Sequence, residues 1–344
     1  MRFLHLLQPR PRIDAILSPP DPFGASGHGA PAAIGELCAG PDEHYAAAIG
    51  DARVSAWCRG GGLAGVTPIP APLRSARAAA HGVRAMLATS PSFDAVIAWG
   101  RSLRPARSAT PGPWIEVDPR RGVMAPLSRD GEPTGAGVAL SWALAARARD
   151  GQAPSAPGGS IGLLADETTG SDAQEFILAC SMLRFMDLPV QPVLPASAGK
   201  LASAVQLIGP GEYTVGGTVT DDPAGAWLRR CVAAVLAPDE HASTLGVGLL
   251  FSLATRAGVP VVLSPRAAAL LDATETVRIA RADSDGARPL SRLIADLLSS
   301  REMRAAAVAA QRTLIAAQPA TFVASFGAAV RVLLSSADAR TMAR

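Results

Sequence analysis

The residues best suited to chemistry in this chain lie in glycine-rich loops next to apolar segments. The run at residues 245–264 begins near Gly246, Val247 and Gly248 and continues through an apolar stretch of helical length that Gly258 is predicted to end. It closes with strand-like residues 259–263. Glycine allows a backbone to approach a ligand closely, and a helix N-terminus presents unpaired N–H groups that favour an anion. The pattern therefore predicts a loop that borders an anion site, with an ordinary turn as the alternative.

A second polar loop, at residues 166–172, joins a predicted strand to a predicted helix. Thr168, Thr169 and Gly170 offer hydroxyl and backbone N–H groups there. The same loop carries three carboxylates, which oppose the attraction of roughly 1 kcal/mol that an exposed helix end offers a phosphate. Helix capping alone would explain the hydroxyl groups of this loop. As a phosphate site it would need a basic residue from elsewhere.

Two basic residues follow predicted strands in the same half of the chain. Lys200, the only lysine, comes after strand-like residues 190–194, and Arg266 comes after residues 259–263. Because parallel strands end at one edge of a sheet, both residues are expected at the same rim. They could neutralise an anion there, or they could be solvated surface charges.

The first half of the chain carries a loop of the same kind. Gly27 and His28 end a run rich in glycine and proline that precedes a predicted helix at residues 32–38. A strand, a glycine-rich loop and a helix form the usual layout of a ligand loop in a Rossmann-like unit. His28 is the residue in this run that could exchange a proton near neutral pH, and the alternative is a loop histidine bonded to backbone.

The residues after the apolar strand at 94–100 are a further candidate group. A buried parallel strand reads as a continuous apolar run, which places Trp99 and Arg101 at the carboxyl edge of the first lobe. Arg101 or Arg104 could meet a phosphate or a carboxylate, and each could equally be a surface charge. These residues are predicted on the acceptor side of any cleft between two lobes.

Strands and helices alternate along most of the chain, which predicts an α/β protein with parallel sheets. A length of 344 residues suits about two domains. Residues 119–137, rich in proline, glycine and charge, are predicted as a linker, and residues 138–149 as an amphipathic helix. The predicted division is 1–130 for the N-terminal lobe, 131–318 for the C-terminal lobe and 319–344 for a final helix.

Composition excludes several other classes. A net charge of +3 with 4% aromatic residues and no basic tract argues against nucleic-acid binding. The four cysteines lack Cys-x-x-Cys spacing and are expected to be reduced core thiols, so neither a metal site nor a cofactor is predicted. The short apolar start and the absence of a long apolar run predict a cytoplasmic protein without an integral membrane segment.

The run at residues 245–264 resembles the donor-sugar segment of retaining glycosyltransferases of the GT-B fold, family 4. That family has Glu-Gly-Phe-Gly-Leu-Pro, then Glu-Ala, a small-residue turn and Gly-Val-Pro-Val-Val. Aligned on residues 258–262, Gly246 and Gly248 fall on the two family glycines. The two family carboxylates fall on Leu245 and Leu253, which cannot hold sugar hydroxyls. The resemblance covers most of the chain in layout and is specific only around residues 246–262.

The resemblance implies two Rossmann-like lobes facing across a cleft, with the C-terminal helix returning to the first lobe. It also implies transfer of a sugar from a nucleotide donor to an acceptor hydroxyl, with retention and without a bound metal. His28 and Glu240 are the predicted catalytic residues, Glu240 as a displaced first carboxylate or otherwise a solvated loop charge. The implied donor-binding residues are Thr168, Thr169, Gly170, Lys200, Gly246, Val247, Gly248 and Arg266, and the implied acceptor-side residues are Gly27, Trp99 and Arg101.

Two further functions fit the same pattern. The first is a catalytically inactive GT-B-like protein that binds a sugar, a nucleotide or a protein partner in its cleft. The second is a periplasmic-type binding protein, which the absence of an export signal disfavours. The sequence has no Gly-x-Gly-x-x-Gly motif of a dinucleotide oxidoreductase and no lysine-containing phosphate loop of an ATPase.

Overall fold

The chain forms two separate β-sheets, each flanked by helices. The structure is a computed structural model, and it describes residues 1–7, 29–50, 63, 65–70, 76–90, 92–100, 103–107, 110, 112–118, 121–144, 159–164, 171–188, 190–194, 214–215, 228–238, 244–273, 280–281 and 287–342. All statements below concern these residues.

The first sheet has seven strands in the order β3-β2-β1-β4-β5-β6-β7. Its first five members are parallel neighbours in the Rossmann order, and β6 and β7 are antiparallel additions. Its strands and helices are β1 (Arg2–Leu7), α1 (Gly29–Leu37), β2 (Glu43–Gly50), β3 (Val66–Pro70), α2 (Ala76–Thr89), β4 (Ala95–Trp99), α3 (Arg104–Arg107), β5 (Trp114–Asp118), β6 (Val123–Pro126) and β7 (Val138–Ala139).

The second sheet has six parallel strands in the order β10-β9-β8-β11-β12-β13. This is also the Rossmann order, since β8 and β11 are the central pair from which the chain proceeds outward in both directions. Its elements are β8 (Gly159–Leu164), α4 (Ser171–Phe185), β9 (Val190–Leu194), β10 (Thr214–Val215), β11 (Ala233–Leu236), α5 (Thr244–Arg256), β12 (Val261–Leu263), α6 (Pro265–Leu270), β13 (Ala280–Arg281), α7 (Ala287–Ser299) and α8 (Arg301–Ala316), followed by α9 (Phe322–Met342).

Local chemistry explains where the central elements of the second sheet begin and end. Gly258 has φ +74° and ends α5, and the N–H groups of Gly258 and Val259 donate to the carbonyls of Thr255 and Ala254. This is the Schellman arrangement, which needs a residue that tolerates left-handed backbone. The predicted helix stop at Gly258 and the strand after it are therefore confirmed.

A buried segment at residues 140–144, here called the inter-lobe segment, joins the two halves of the chain. Its residues lie outside any strand, so other elements must satisfy its backbone groups. The N–H of Ser141 donates to Oγ of Ser325 in α9 at 3.0 Å, and the N–H of Leu144 donates to Oγ of Ser252 in α5 at 3.4 Å. Side chains from two different helices thus hold the segment in place.

The side chain of Trp142, which belongs to the inter-lobe segment, packs against α5. Its ring lies edge-on to Phe251, with centroids 5.9 Å apart. On the same helix, Gly248 approaches so closely that a Cβ there would overlap Cβ and Cγ of Trp142. A second link is the ion pair between Arg256 of α5 and Glu36 of α1, at 2.7 and 3.2 Å. The two lobes therefore share one continuous apolar core.

The C-terminal helix α9 packs on the first lobe, as predicted. The ring of Phe326 lies 6.4 Å from Phe3, 5.8 Å from His5 and 6.1 Å from His44. At the start of the helix, the N–H of Phe322 donates to the carbonyl of Ala143 in the inter-lobe segment at 2.7 Å. The helix therefore contacts both the first sheet and the junction between lobes.

Several sequence predictions were wrong in the first lobe. The predicted linker at 119–137 contains β6 and leads into β7, and the predicted helix at 138–149 begins with β7 and the inter-lobe segment. The prolines and glycines there form a hairpin, closed by a bridge between Leu127 and Pro133, with Gly131 at φ +81°. Strand β2 was not predicted, because its alanines favour helix over strand.

Other predictions lie beyond the described residues or stay open. The apolar runs at 13–17, 53–57 and 205–208, which the sequence also predicts as strands, lie outside the described residues. The division into 1–130, 131–318 and 319–344 stays a prediction, although the first sheet continues to Ala139. Among the helices of the described residues, none combines the length and hydropathy needed to cross a bilayer.

Two glycine-to-alanine substitutions within helices test the fit between Trp142 and α5. In a helix, alanine is favoured over glycine by about 1 kcal/mol. Gly327→Ala in α9 should therefore stabilise the protein by up to that amount, because its Cβ would make only an ordinary contact, 3.6 Å from Arg331. Gly248→Ala should instead lower the free energy of unfolding by about 1–3 kcal/mol, because the inter-lobe segment must shift. Urea denaturation of both variants measures this, and stabilisation by Gly248→Ala would contradict the packing described.

Candidate functional site

The central strands of the second sheet end at a common edge. β9, β8, β11 and β12 are parallel neighbours, with Leu164 paired to Leu236 and Leu236 paired to Leu263. The switch in strand order falls between β8 and β11, and ligands of open α/β sheets bind at the carboxyl ends of strands beside such a switch. This edge is therefore the candidate site of the second lobe.

Most of the predicted site residues lie outside the described residues. They are Gly27, His28, Arg101, Thr168, Thr169, Gly170, Lys200 and Glu240. In the sequence, each follows the end of β1, β4, β8, β9 or β11. Arg266, which is described, follows β12 and is exposed at the second position of α6. Helix α6 begins because the hydroxyl of Ser264 accepts from the N–H of Ala267 and Pro265 suits the first turn.

The interpretation of Gly246, Val247 and Gly248 as a loop was wrong. Helix α5 begins at Thr244, and all three residues are buried in its first two turns. The close approach that Gly248 permits is made to Trp142 of the same chain. These residues thus position the helix whose N-terminus lies at the candidate edge.

Trp99 lies at the carboxyl end of its strand, as predicted, but its ring is internal, and its acceptor-side role stays a prediction. The residue ends β4, but its side chain is only 5% exposed and belongs to the core under α9. Its indole N–H donates to Nδ1 of His5 at 3.1 Å. The N–H group of a buried tryptophan usually has a hydrogen-bond partner, and the partner here is internal.

The sequence interpretation missed a pair of histidines on the same face of the first sheet. Nε2 of His5 lies 2.9 Å from Nδ1 of His44, and the two residues stand on neighbouring strands. Burial lowers the pKa of His5 far below its ordinary value and lowers the pKa of His44 to a smaller extent. One available signal was the position of His5 in the middle of an otherwise apolar strand.

Arg104 meets carboxylates of its own lobe, one of the partners that the sequence suggested, and is therefore not available for a phosphate. Its guanidinium donates to both carboxylate oxygens of Glu116, at 2.6 and 3.1 Å, and to Glu132 at 3.1 Å. The hydrogen bond to Glu116 raises the pKa of Arg104. This cluster stabilises the first lobe through internal charge pairing.

The cysteines and acidic residues form no metal site in the part of the chain that is described. Cys180 and Cys231 are buried thiols outside any disulfide, as predicted, and burial raises the pKa of each to about 12. Cys38 is exposed, so it is not a core thiol. Cys58 lies outside the described residues.

Comparison with known proteins identifies the fold. No protein-family model matches the chain, and no curated protein matches its sequence. Among solved structures, the Anabaena protein HepE in complex with UDP-glucose is similar over 97% of this chain and 100% of that chain, with 14% identity and a TM-score of 0.60.

Two further structures extend the comparison. The glycosyltransferase SnogD of Streptomyces nogalater is 18% identical with a TM-score of 0.50, over 97% of this chain and 98% of its own. The N-terminal domain of Candida albicans trehalose-6-phosphate phosphatase is 10% identical with a TM-score of 0.53, over 97% and 96%. Identities this low show the fold alone. The predicted GT-B architecture, with two Rossmann-like lobes facing across a cleft and a returning C-terminal helix, is confirmed.

Replacing each of the two carboxylates that bind Arg104 tests which of them contributes more to stability. Glu116→Gln should lower the free energy of unfolding by about 2 kcal/mol, because Glu116 is 4% exposed and its loss leaves Arg104 with only the exposed Glu132 as a charged partner. Glu132→Gln should cost less than about 1 kcal/mol, because Glu132 is 73% exposed. Urea denaturation at neutral pH compares them, and equal losses would contradict the assignment of Glu116 as the main partner.

Proposed function

We propose that this protein is a divergent retaining glycosyltransferase that moves a sugar from a nucleotide donor to an acceptor hydroxyl. The observation that carries the proposal is the strand order of the second lobe. All residues predicted to bind the nucleotide-sugar donor lie in α5 or follow β8, β9 or β12 in the sequence. The candidate carboxylate, Glu240, follows β11. These strands are neighbours across the switch point. The similarity to HepE, whose structure holds UDP-glucose, supports a nucleotide-sugar as the donor.

On the donor side, each candidate group has a distinct part. Thr168, Thr169 and Gly170 would donate hydrogen bonds to the diphosphate from the segment after β8. Lys200 and Arg266, from the flanking segments, would balance its negative charge. Stabilisation of the leaving diphosphate would be the main catalytic contribution, since charge develops there as the glycosidic bond breaks.

The hydroxyl groups of the sugar would need a carboxylate partner other than the two found in family 4. Leu245 is buried in the shared core, and Leu253 packs against it. Glu240 follows β11 in the sequence just before α5, and we propose it as the displaced carboxylate. This substitution is what makes the site divergent.

On the acceptor side, we propose that the ends of β1 and β4 border the reacting hydroxyl. Leu7 pairs with Trp99 in the first sheet, so the residues that follow the two strands leave from adjacent positions. Gly27 and His28 follow the first strand, and Arg101 follows the second. His28 would accept or relay the proton of the acceptor hydroxyl.

Thermal unfolding with nucleoside diphosphates and their hexose conjugates tests the donor site. A ligand at 100 times its dissociation constant adds about 2.7 kcal/mol of stability, and a tenfold loss of affinity reduces this to about 1.4 kcal/mol. We expect UDP, TDP, GDP or ADP to stabilise the protein, and Arg266→Ala or Lys200→Ala to weaken that effect about tenfold, because each removes a charged partner. The matched control is Arg312→Ala, an exposed arginine on α8 of the same lobe.

The product assay separates the two functional alternatives. A stabilising sugar conjugate should release nucleoside diphosphate in the presence of an acceptor, and NMR of the product should show the anomeric configuration of the donor. Binding without release under any acceptor would favour the catalytically inactive alternative. Failure of every nucleotide to bind would contradict the proposal itself.

A further inference from the structure

Three side chains form a series of hydrogen bonds through the core of the first lobe. The indole Nε1 of Trp99 lies 3.1 Å from Nδ1 of His5, and Nε2 of His5 lies 2.9 Å from Nδ1 of His44. The residues belong to three adjacent strands, β4, β1 and β2, and the series lies on the face that α9 covers. His5 is fully buried and His44 is half-buried.

The chemistry of the donors fixes where every proton in this series must lie. An indole nitrogen can only donate, so Nδ1 of His5 must be the unprotonated acceptor. A neutral imidazole carries one proton, and His5 must therefore hold it on Nε2 and donate it to Nδ1 of His44. His44 in turn holds its own proton on Nε2. The series is consistent only when both imidazoles are neutral.

One added proton cannot be accommodated without the loss of a hydrogen bond. Protonated His44 would carry a proton on Nδ1, opposite the Nε2 proton of His5, and the two donors would repel. His5 could move its proton to Nδ1, but that atom would then oppose the indole N–H of Trp99. Protonation therefore breaks either the bond between the histidines or the bond to Trp99.

The C-terminal helix lies directly against this series. Phe326 of α9 packs within 5.8 Å of His5 and 6.1 Å of His44, measured between ring centroids. The face of its ring is at most a weak acceptor, which does not replace a hydrogen bond between ring nitrogens. A charged or reoriented imidazole pair would therefore disturb the packing of α9 on the first lobe.

The surrounding charges offer little compensation for a proton on His44. Asp42 favours the proton and the N-terminal ammonium of Met1 opposes it, and these two groups are paired with each other at 2.8 Å. Just after α1, the thiol of Cys38 donates to the carbonyl of His44 at 3.8 Å and carries no charge at neutral pH, because partial desolvation raises its pKa. From β4 and α9, the neighbours are Trp99 and Phe326, which are neutral.

We propose that Trp99, His5 and His44 form a proton-sensitive lock that holds α9 on the first lobe and releases it when the histidine pair takes up a proton. The first turn of α9 also bonds the inter-lobe segment through Phe322 and Ala143. Release of the helix would therefore loosen the junction between the lobes as well. The proposal is independent of the proposed transferase activity, because it concerns only the packing of the helix.

The direction of the pH dependence follows from the lowered pKa values of both histidines. A released or unfolded histidine has a pKa near 6.5, so below that pH the released state binds more protons than the docked state. The stabilisation is fully present above about pH 6.5 and is lost as the pH falls below that value towards the pKa of the docked pair.

Amide hydrogen exchange in α9, corrected for intrinsic rates, measures the equilibrium between the docked and the released helix. For one linked proton, protection in α9 should fall about tenfold between about pH 7.5 and about pH 5.5 in the unaltered protein. In Trp99→Phe, Nδ1 of His5 can take the proton, and Nε2 can then accept from protonated His44. The decrease in that variant should shrink to about threefold or less over the same range, since protonation no longer breaks a bond.

The matched control is Trp114→Phe, which makes the same substitution at a tryptophan on the opposite face of the same sheet. Trp114 is buried, and its indole N–H has no hydrogen-bond partner. This variant should keep the full pH dependence. Equal responses of the two variants, or an unchanged response in Trp99→Phe, would overturn the lock.

A measurement on the unaltered protein tests the proposal without any variant. Long-range 1H–15N NMR spectra at neutral pH should show a proton on Nε2 of both His5 and His44 and none on Nδ1 of either. This outcome does not depend on whether Trp99→Phe folds. A protonated Nδ1 on His5 would overturn the proposal directly.

Discussion

The fold depends on the burial of the inter-lobe segment between the two sheets. Residues 140–144 are buried without a strand partner, so their backbone groups must be bonded by side chains and helix ends from both lobes. Ser252, Ser325 and Phe322 provide these bonds. As a result, the two Rossmann-like units share a core instead of meeting across a flexible linker, and the position of α5 and α9 depends on the same short segment.

Several residues with the chemistry of a binding site serve internal purposes here, because tight packing and buried polar groups must be satisfied within the fold. Gly248 resembles a ligand-binding glycine, but it admits Trp142. Trp99 ends a strand at the cleft edge, but its indole completes a hydrogen-bond series inside the lobe. Arg104 could bind an anion, but Glu116 already neutralises it. The hydroxyl, basic and acidic groups of the proposed site belong instead to the segments that follow the strands in the sequence.

The proposed protonation of the histidine pair links the packing of α9 on the first lobe to the pH of the solution. A polar pair inside an apolar core is tolerated only when all its donors and acceptors are matched. Both ring nitrogens of His5 are bonded, one to Trp99 and the other to His44. Because an added proton would break one of these bonds under α9, the protonation state of the pair and the docking of α9 are coupled. Because α9 also bonds the inter-lobe segment, a change at the histidines reaches the junction between lobes through a continuous set of contacts.

The sequence by itself determined the α/β class and most of the parallel strands, because buried parallel strands appear as apolar runs. The GT-B layout followed from the resemblance around residues 246–262. The helix stop at Gly258 also followed from the sequence, since it depends only on local backbone. Only the tertiary structure decided that β2, rich in alanine, is a strand, that residues 123–139 add two strands to the first sheet, and which polar side chains are used internally. These outcomes depend on partners distant in the sequence, such as Trp142 for Gly248 and Trp99 for His5, and no local pattern encodes which partner a residue will meet.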